Sequence, residues 1–399
     1  MIKQKSLVLS HREFVFLLLL IPFFKLLSFE MFRERNVFKS FFGMMVILYD
    51  YGRVIAASYG YLKLIMNKAR RLSKISKLFI LFFTIQLIAC IANGSIDLFI
   101  TAKIYTYIGF VLILNYLLLR YSKQLLNAVK LHFGILSILG VFTVMIFPFG
   151  FLHGSDVYDA VYLVGGKNSS FPFYYVFLLV FYVDYIVNHK YKLPKLWTVP
   201  LILTIIAVLI CQSVNSALEL TIIFTISTLY MIRKIKVNAY IPIASMYTML
   251  ILIYLGSNMP FINNFLEQLG RNSSFSGRTI LWNQAFLNIL SNPITGGGYK
   301  LVYNIWDGVT DHAHSWYLDT FAKYGVISLV AFALIIITVL NKLSCIRYKP
   351  LRCYLGLFFM VYLLHMGFDD YNFNFFVLIV MILYYIADVY KNSPLNLLK

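Results

Sequence analysis

Acidic residues are few: 16 Asp and Glu against 35 Lys and Arg in 399 residues. A paired acidic motif is absent, which argues against a metal-dependent nucleotide-sugar transferase. Charge of either sign makes up only 13% of the chain, too little for a soluble domain of this size. The four cysteines, Cys90, Cys211, Cys345 and Cys353, form no CxxC pair, so neither a disulfide framework nor a zinc site is expected. Alternating β-barrel patterning is lacking, which leaves helices as the way to satisfy the backbone in lipid. There is no internal repeat of the kind that marks many transporters. The first apolar run, Phe14–Phe29, lacks a small-residue cleavage site and reads as a retained span, not a signal peptide.

What is abundant is apolar sequence, at 60% of the chain. It is arranged in runs of about 17–22 residues separated by short basic stretches. The expected fold class is therefore all-α, a polytopic integral membrane protein with about twelve transmembrane helices. The expected spans are Phe14–Phe29, Phe41–Leu64, Leu78–Ala92, Ile104–Leu119, Leu131–Gly150, Phe171–Val187, Leu196–Ser213, Ala217–Ile232, Tyr240–Gly256, Tyr317–Leu340, Cys353–Phe368 and Phe373–Tyr390. Residues 1–256 thus carry nine spans, 257–316 one long external loop, and 317–399 the last three.

The formal net charge of +19 would suit nucleic acid, but the cations sit in short loops between spans. They are expected to meet membrane lipids, with no nucleic-acid partner. Lys68–Lys77, Arg120–Lys130, Lys190–Lys195, Arg233–Lys236 and Lys342–Arg352 all fall on one face with both termini. The positive-inside rule makes that face cytoplasmic. The opposite face then carries Asn93–Asp97, Phe151–Ser170, Ser257–Trp316 and Asp369–Asn372, against which Arg33, Arg35 and Lys39 stand as a basic anomaly.

The external stretch Ser276–Gly325 holds the densest chemistry. Ser276–Asn292 reads as an amphipathic helix, capped by Ser276 and ended by Pro293, with Leu281, Ala285 and Ile289 beside Trp282, Phe286 and Leu290 on one face. Such a helix would lie at the outer interface with its apolar side in lipid. Arg278 in its first turn is a candidate anion clamp, or else an interfacial arginine on lipid headgroups. Gly297 and Gly298, in the Gly296–Gly298 run, would offer backbone N–H groups to a phosphate, or form a flexible turn after Pro293. His314 is a candidate proton acceptor. A metal at the His312/His314 pair has no third ligand at convincing spacing, so none is expected. In the earlier outer loop, Lys167 of GGKNSS is a further cation for an external phosphate. Within the eighth span, Glu219 is a substrate-binding suspect, or a structural partner for Asn215 or Gln212, with His365 bordering the same cavity.

Taken together, these residues resemble the O-antigen polymerase and ligase superfamily, the Wzy-type polysaccharide polymerases and their ligase relatives. That family carries His, then Asn, Ser or Gln, nine residues, then GxxG, at the end of a long periplasmic loop. Here His314-Ser315 is followed by WYLDTFAKY and Gly325-Val326-Ile327-Ser328, with Ser328 replacing the last glycine. SGR…W, NPITGGGY and GGKN also resemble the family's loops. The resemblance implies a GT-C-like glycosyltransferase with no cofactor, in the plasma membrane of a bacterium with its site on the external side. Its implied donor is an undecaprenyl-pyrophosphate-linked oligosaccharide, and its implied partner a chain-length regulator protein. Arg278 and Lys167 would then carry the departing pyrophosphate, and His314 would deprotonate the acceptor hydroxyl. The product would be O-antigen, capsular or exopolysaccharide. The alternatives are transfer of a finished chain to a lipid core by a ligase, or a lipid-linked oligosaccharide flippase.

Overall fold

The computed structural model describes residues 10–392 apart from 25, 35, 37, 67–71, 152–159, 167–168, 189–197, 212, 234–277, 306–307 and 369–371. Lys167, Ser276 and the expected ninth span therefore lie outside the described residues.

Helices run in the order α1 (His11–Leu20), α2 (Leu27–Glu34), α3 (Lys39–Met66), α4 (Lys74–Ala92), α5 (Leu98–Ile146), α6 (Phe171–Asn188), α7 (Thr198–Ile210) and α8 (Val214–Arg233). Then come α9 (Arg278–Ser291), a hairpin of β1 (Tyr303–Ile305) and β2 (Gly308–Thr310), and α10 (Trp316–Ser344), α11 (Lys349–Phe368) and α12 (Asn374–Asn392). The chain is an all-α polytopic membrane protein. Among the described residues, α3, α4, α5, α10, Leu351–Phe368 of α11 and Asn374–Lys391 of α12 are long and apolar enough to cross a bilayer. Phe171–Asp184, Val199–Ile210 and Ser216–Thr225 are shorter apolar helices.

The first expected span is not one straight helix. A capping box between Ser10 and Glu13 starts α1. The chain then tightens into a 3₁₀ turn at Ile21–Phe24, which contains Pro22, and bends by 50° toward Ser28–Glu34. The carbonyl of Phe23, at this break, accepts from Asn372 Nδ2 at 2.9 Å and Asn374 Nδ2 at 3.0 Å.

Helix α5 has 49 residues, about 70 Å if straight, far more than a bilayer needs. It breaks at Tyr121, whose φ of −141° and ψ of 35° are not helical. The ring of Phe24 lies 5.7 Å from that of Phe110 and 5.0 Å from that of Phe133. Residues 23 positions apart on a straight helix would be about 34 Å apart, so the two halves fold back side by side. They correspond to the fourth and fifth expected spans, with Arg120 and Lys123 at the fold.

The bundle has two distinct ends. Near the Tyr121 fold, Ser76 Oγ donates to Asn115 Oδ1 at 2.9 Å and Tyr385 OH to Ser122 Oγ at 2.9 Å. Lys342 pairs with Asp388 and lies over the Tyr384 ring. This end gathers Lys74, Lys77, Arg120, Lys123 and Lys342. At the other end lies the α4–α5 turn, Asn93–Asp97, onto which the loop before α10 docks. Asn93 Nδ2 donates to Thr295 O at 3.0 Å, and the Tyr299 N–H donates to Ser95 Oγ at 3.2 Å. Directly beneath that loop the core is aromatic. Trp316 stacks on Phe373 at 4.8 Å and 11°, with Phe82 and Phe332 against them.

Candidate functional site

The site is built where α10 is broken. Residues Trp316–Tyr324 form a short helical entry, Gly325 interrupts it at φ 75° and ψ 178°, and the long membrane helix follows. A break leaves backbone groups without helical partners. The loop from Pro293 to Gly298 supplies them. Val326 N–H donates to Pro293 O at 2.9 Å, Gly297 N–H to Ala322 O at 2.7 Å and Gly298 N–H to Lys323 O at 3.0 Å. The N–H donors that the sequence set aside for a phosphate at Gly297 and Gly298 are thus taken up by α10 carbonyls. The glycines instead permit close approach: a Cβ at Gly296 would overlap the backbone of Lys323, and one at Gly298 would sit 2.8 Å from Ser95 Oγ.

Helix α9 packs across this entry. Leu281, Trp282, Ala285 and Ile289 are buried against Tyr303, Ala313, Leu318 and Ala322. The expectation that the whole apolar face lies in lipid is corrected in part: Leu281, Trp282, Ala285 and Ile289 are spent on protein, while Phe286 and Leu290 of that face stay exposed beside Leu287. Gln284 braces the hairpin, donating to Asn304 O at 2.7 Å and accepting from Asn304 N–H at 2.8 Å.

Arg278 is the first residue of α9 and is half-buried. It lies one turn from Trp282 on the same helix face. The Trp282 indole donates to Ala313 O at 3.1 Å, immediately before His314. The fold therefore brings Arg278 and His314 to one end of the bundle. His314 itself has φ 49°, a left-handed backbone uncommon outside glycine. Its ring meets that of His312 edge-on at 4.4 Å. His312 is occupied otherwise, with Nδ1 2.9 Å from Asp311 Oδ1. That bond, helped by the nearby Lys323 charge and opposed by burial, holds the Asp311 carboxyl below its usual range.

Glu219 is placed apart from these residues. It is fully buried on α8, with Oε2 2.8 Å from His365 Nδ1 of α11, and the Phe171 ring lies 4.2 Å from the imidazole. Both side chains are sealed in the interior as a tie between helices. Glu219 and His365, expected near one another, are in direct contact.

Other charged residues join the site in three dimensions. Asp319 and Lys323 form a buried pair at 2.8 Å beneath the His314 turn. Lys103 Nζ lies 5.0 Å from the centre of the Tyr299 ring and Lys323 Nζ 5.8 Å from it. Lys300 pairs with Asp97 at 3.4 Å. The Asp97 carboxyl is held below its usual range first by the Ile100 N–H that it caps, and then by Lys300. A sequence signal for the first pair existed: Asp319 and Lys323 are opposite charges four apart on a helix that opens an apolar span. Among the described residues no three His, Cys, Asp or Glu side chains converge as a metal site.

Residues 199–333 match the family model described as O-antigen ligase. The matched stretch runs from α7 through the break in α10 and contains Glu219, Arg278, Gly297, Gly298 and His314. A search of curated proteins finds no match to the chain.

Proposed function

We propose that the chain, whose residues 199–333 match the family model described as O-antigen ligase, is an enzyme of the O-antigen polymerase/ligase superfamily that polymerises lipid-pyrophosphate-linked oligosaccharide units. The observation that carries this reading is the pairing of places: Arg278 opens α9, α9 is fastened through Trp282 to Ala313, and His314 follows in a left-handed turn. One cation and one potential base thus share the loop end of the bundle.

In this reading the acceptor hydroxyl oxygen attacks the anomeric carbon of the donor. His314 takes the hydroxyl proton as the new bond forms, because a neutral sugar hydroxyl is a poor nucleophile. The bond from the anomeric carbon to the phosphate oxygen breaks, and the electron pair leaves with the undecaprenyl pyrophosphate. That leaving group needs no carboxylic acid, and the fixed Arg278 charge stabilises it. Lys167 belongs to the same proposal as a second cation. The reaction takes place on the outer side of a bacterial plasma membrane, and a chain-length regulator is the expected protein partner.

The description of the matched family favours one second reading, a ligase that moves a finished chain to a lipid core. Reconstitution in liposomes with a lipid-linked repeat unit separates the two. A ladder of lengths is expected. A single product on an added lipid core would establish the ligase, and leaflet exchange without new glycosidic bonds would overturn both.

Arg278→Ala is expected to lower the polymerisation rate by about 10²–10³-fold, the usual loss for one electrostatic donor at a developing charge. Arg278→Lys should also be impaired, because it keeps the charge but loses the bidentate fork. Full activity of Arg278→Ala at normal membrane abundance would remove this residue from the site.

A further inference from the structure

The proposed chemistry makes no use of the buried Asp319–Lys323 pair, yet its backbone contacts converge on the His314 turn. The two side chains are only 9% and 7% exposed, and Lys323 Nζ lies 2.8 Å from Asp319 Oδ2. The other carboxylate oxygen accepts from the Ala313 N–H at 3.3 Å and from Tyr303 OH at 3.1 Å. Lys323 also donates to the Asp311 carbonyl. The pair therefore grips the backbone on both sides of His312, and the next residue is His314 in its left-handed conformation. Stability alone gives little reason for the arrangement, since a buried ion pair is often matched or bettered by apolar side chains of similar volume. What an apolar pair lacks is a way to hold the N–H of Ala313 and the carbonyl of Asp311 in fixed places.

We propose that Asp319 and Lys323 are positioning residues that fix the 311–313 backbone, and through it the orientation from which the His314 imidazole meets the acceptor hydroxyl. This rests on the reading of His314 as the base. It assigns the pair no contact with substrate. Losing it should therefore slow turnover without weakening the donor, whose pyrophosphate contacts lie at Arg278.

The test compares Asp319→Asn, the double variant Asp319→Leu with Lys323→Met, and His314→Ala in proteoliposomes supplied with a lipid-linked repeat unit. Asp319→Asn is expected to reach the membrane normally and lose about 10²-fold in kcat, the scale of loss for a misplaced catalytic group. Its KM for the donor should stay within about two-fold, because binding and positioning are separate here. The double variant should show the same split at normal abundance. Wild-type kcat in either variant overturns the proposal, as does a loss confined to KM. Failure of the double variant to accumulate would mark the pair as a folding element and overturn it too. His314→Ala separates this idea from the one beneath it. An active His314→Ala brings down the base assignment itself, whereas an inactive His314→Ala beside a fully active Asp319→Asn brings down only the positioning role.

Discussion

Replacing His314 by alanine is expected to lower polymer formation by about 10²–10⁴-fold, the range for a lost general base. Donor affinity should be largely kept, since the proposed pyrophosphate contact lies on α9. His312→Ala is the internal control. Its ring touches that of His314, but its Nδ1 is engaged by Asp311, so its removal should be much milder. Chain-length profiles and initial rates from membranes with matched protein abundance measure both variants. Normal-length polymer at a normal rate from His314→Ala would end the assignment. A variant that loses only donor affinity would make His314 a binding residue instead.

Gly325→Ala should be nearly as damaging, by a different route. At φ 75° and ψ 178° the residue occupies a region essentially reserved for glycine, and forcing another residue there costs about 1–3 kcal/mol. A Cβ would in addition overlap the Ile294 carbonyl and come within 2.7 Å of Thr295 N. Both neighbours are backbone, so the loop must move. Movement at Ile294–Thr295 strains the neighbouring bonds from Val326 to Pro293 and from Gly297 to Ala322 and shifts α9 relative to His314. Expected results are a lower midpoint in thermal unfolding in detergent and a large loss of polymerisation. Gly308→Ala, with no atom within 4 Å of the added carbon, should change neither. Wild-type stability and activity in Gly325→Ala would show that the break does not hold the site.

The sequence by itself determined the class of this protein and the stretch that carries its candidate site. Hydropathy alone requires helices in lipid, and the Arg120–Lys123 charges mark where a 49-residue helix folds back, because charge is costly at the bilayer centre. The spacing from His314 to Gly325 marked the loop end, because only glycine meets the backbone geometry of the break. Hydropathy could not say where the apolar face of α9 goes. Lipid and protein interior are both apolar, and the choice between them fell to packing against Leu318 and Ala322. Nor could a local pattern tell that Gly297 and Gly298 spend their N–H groups on carbonyls some 25 residues onward, or that Glu219 meets a histidine on α11. A polar contact is decided by which group arrives within about 3 Å, and for these residues that group comes from another helix. The Asp319–Lys323 pair joins both kinds of information. Its spacing is written in the sequence, but only the tertiary structure brings Asp311, Ala313 and Tyr303 to it.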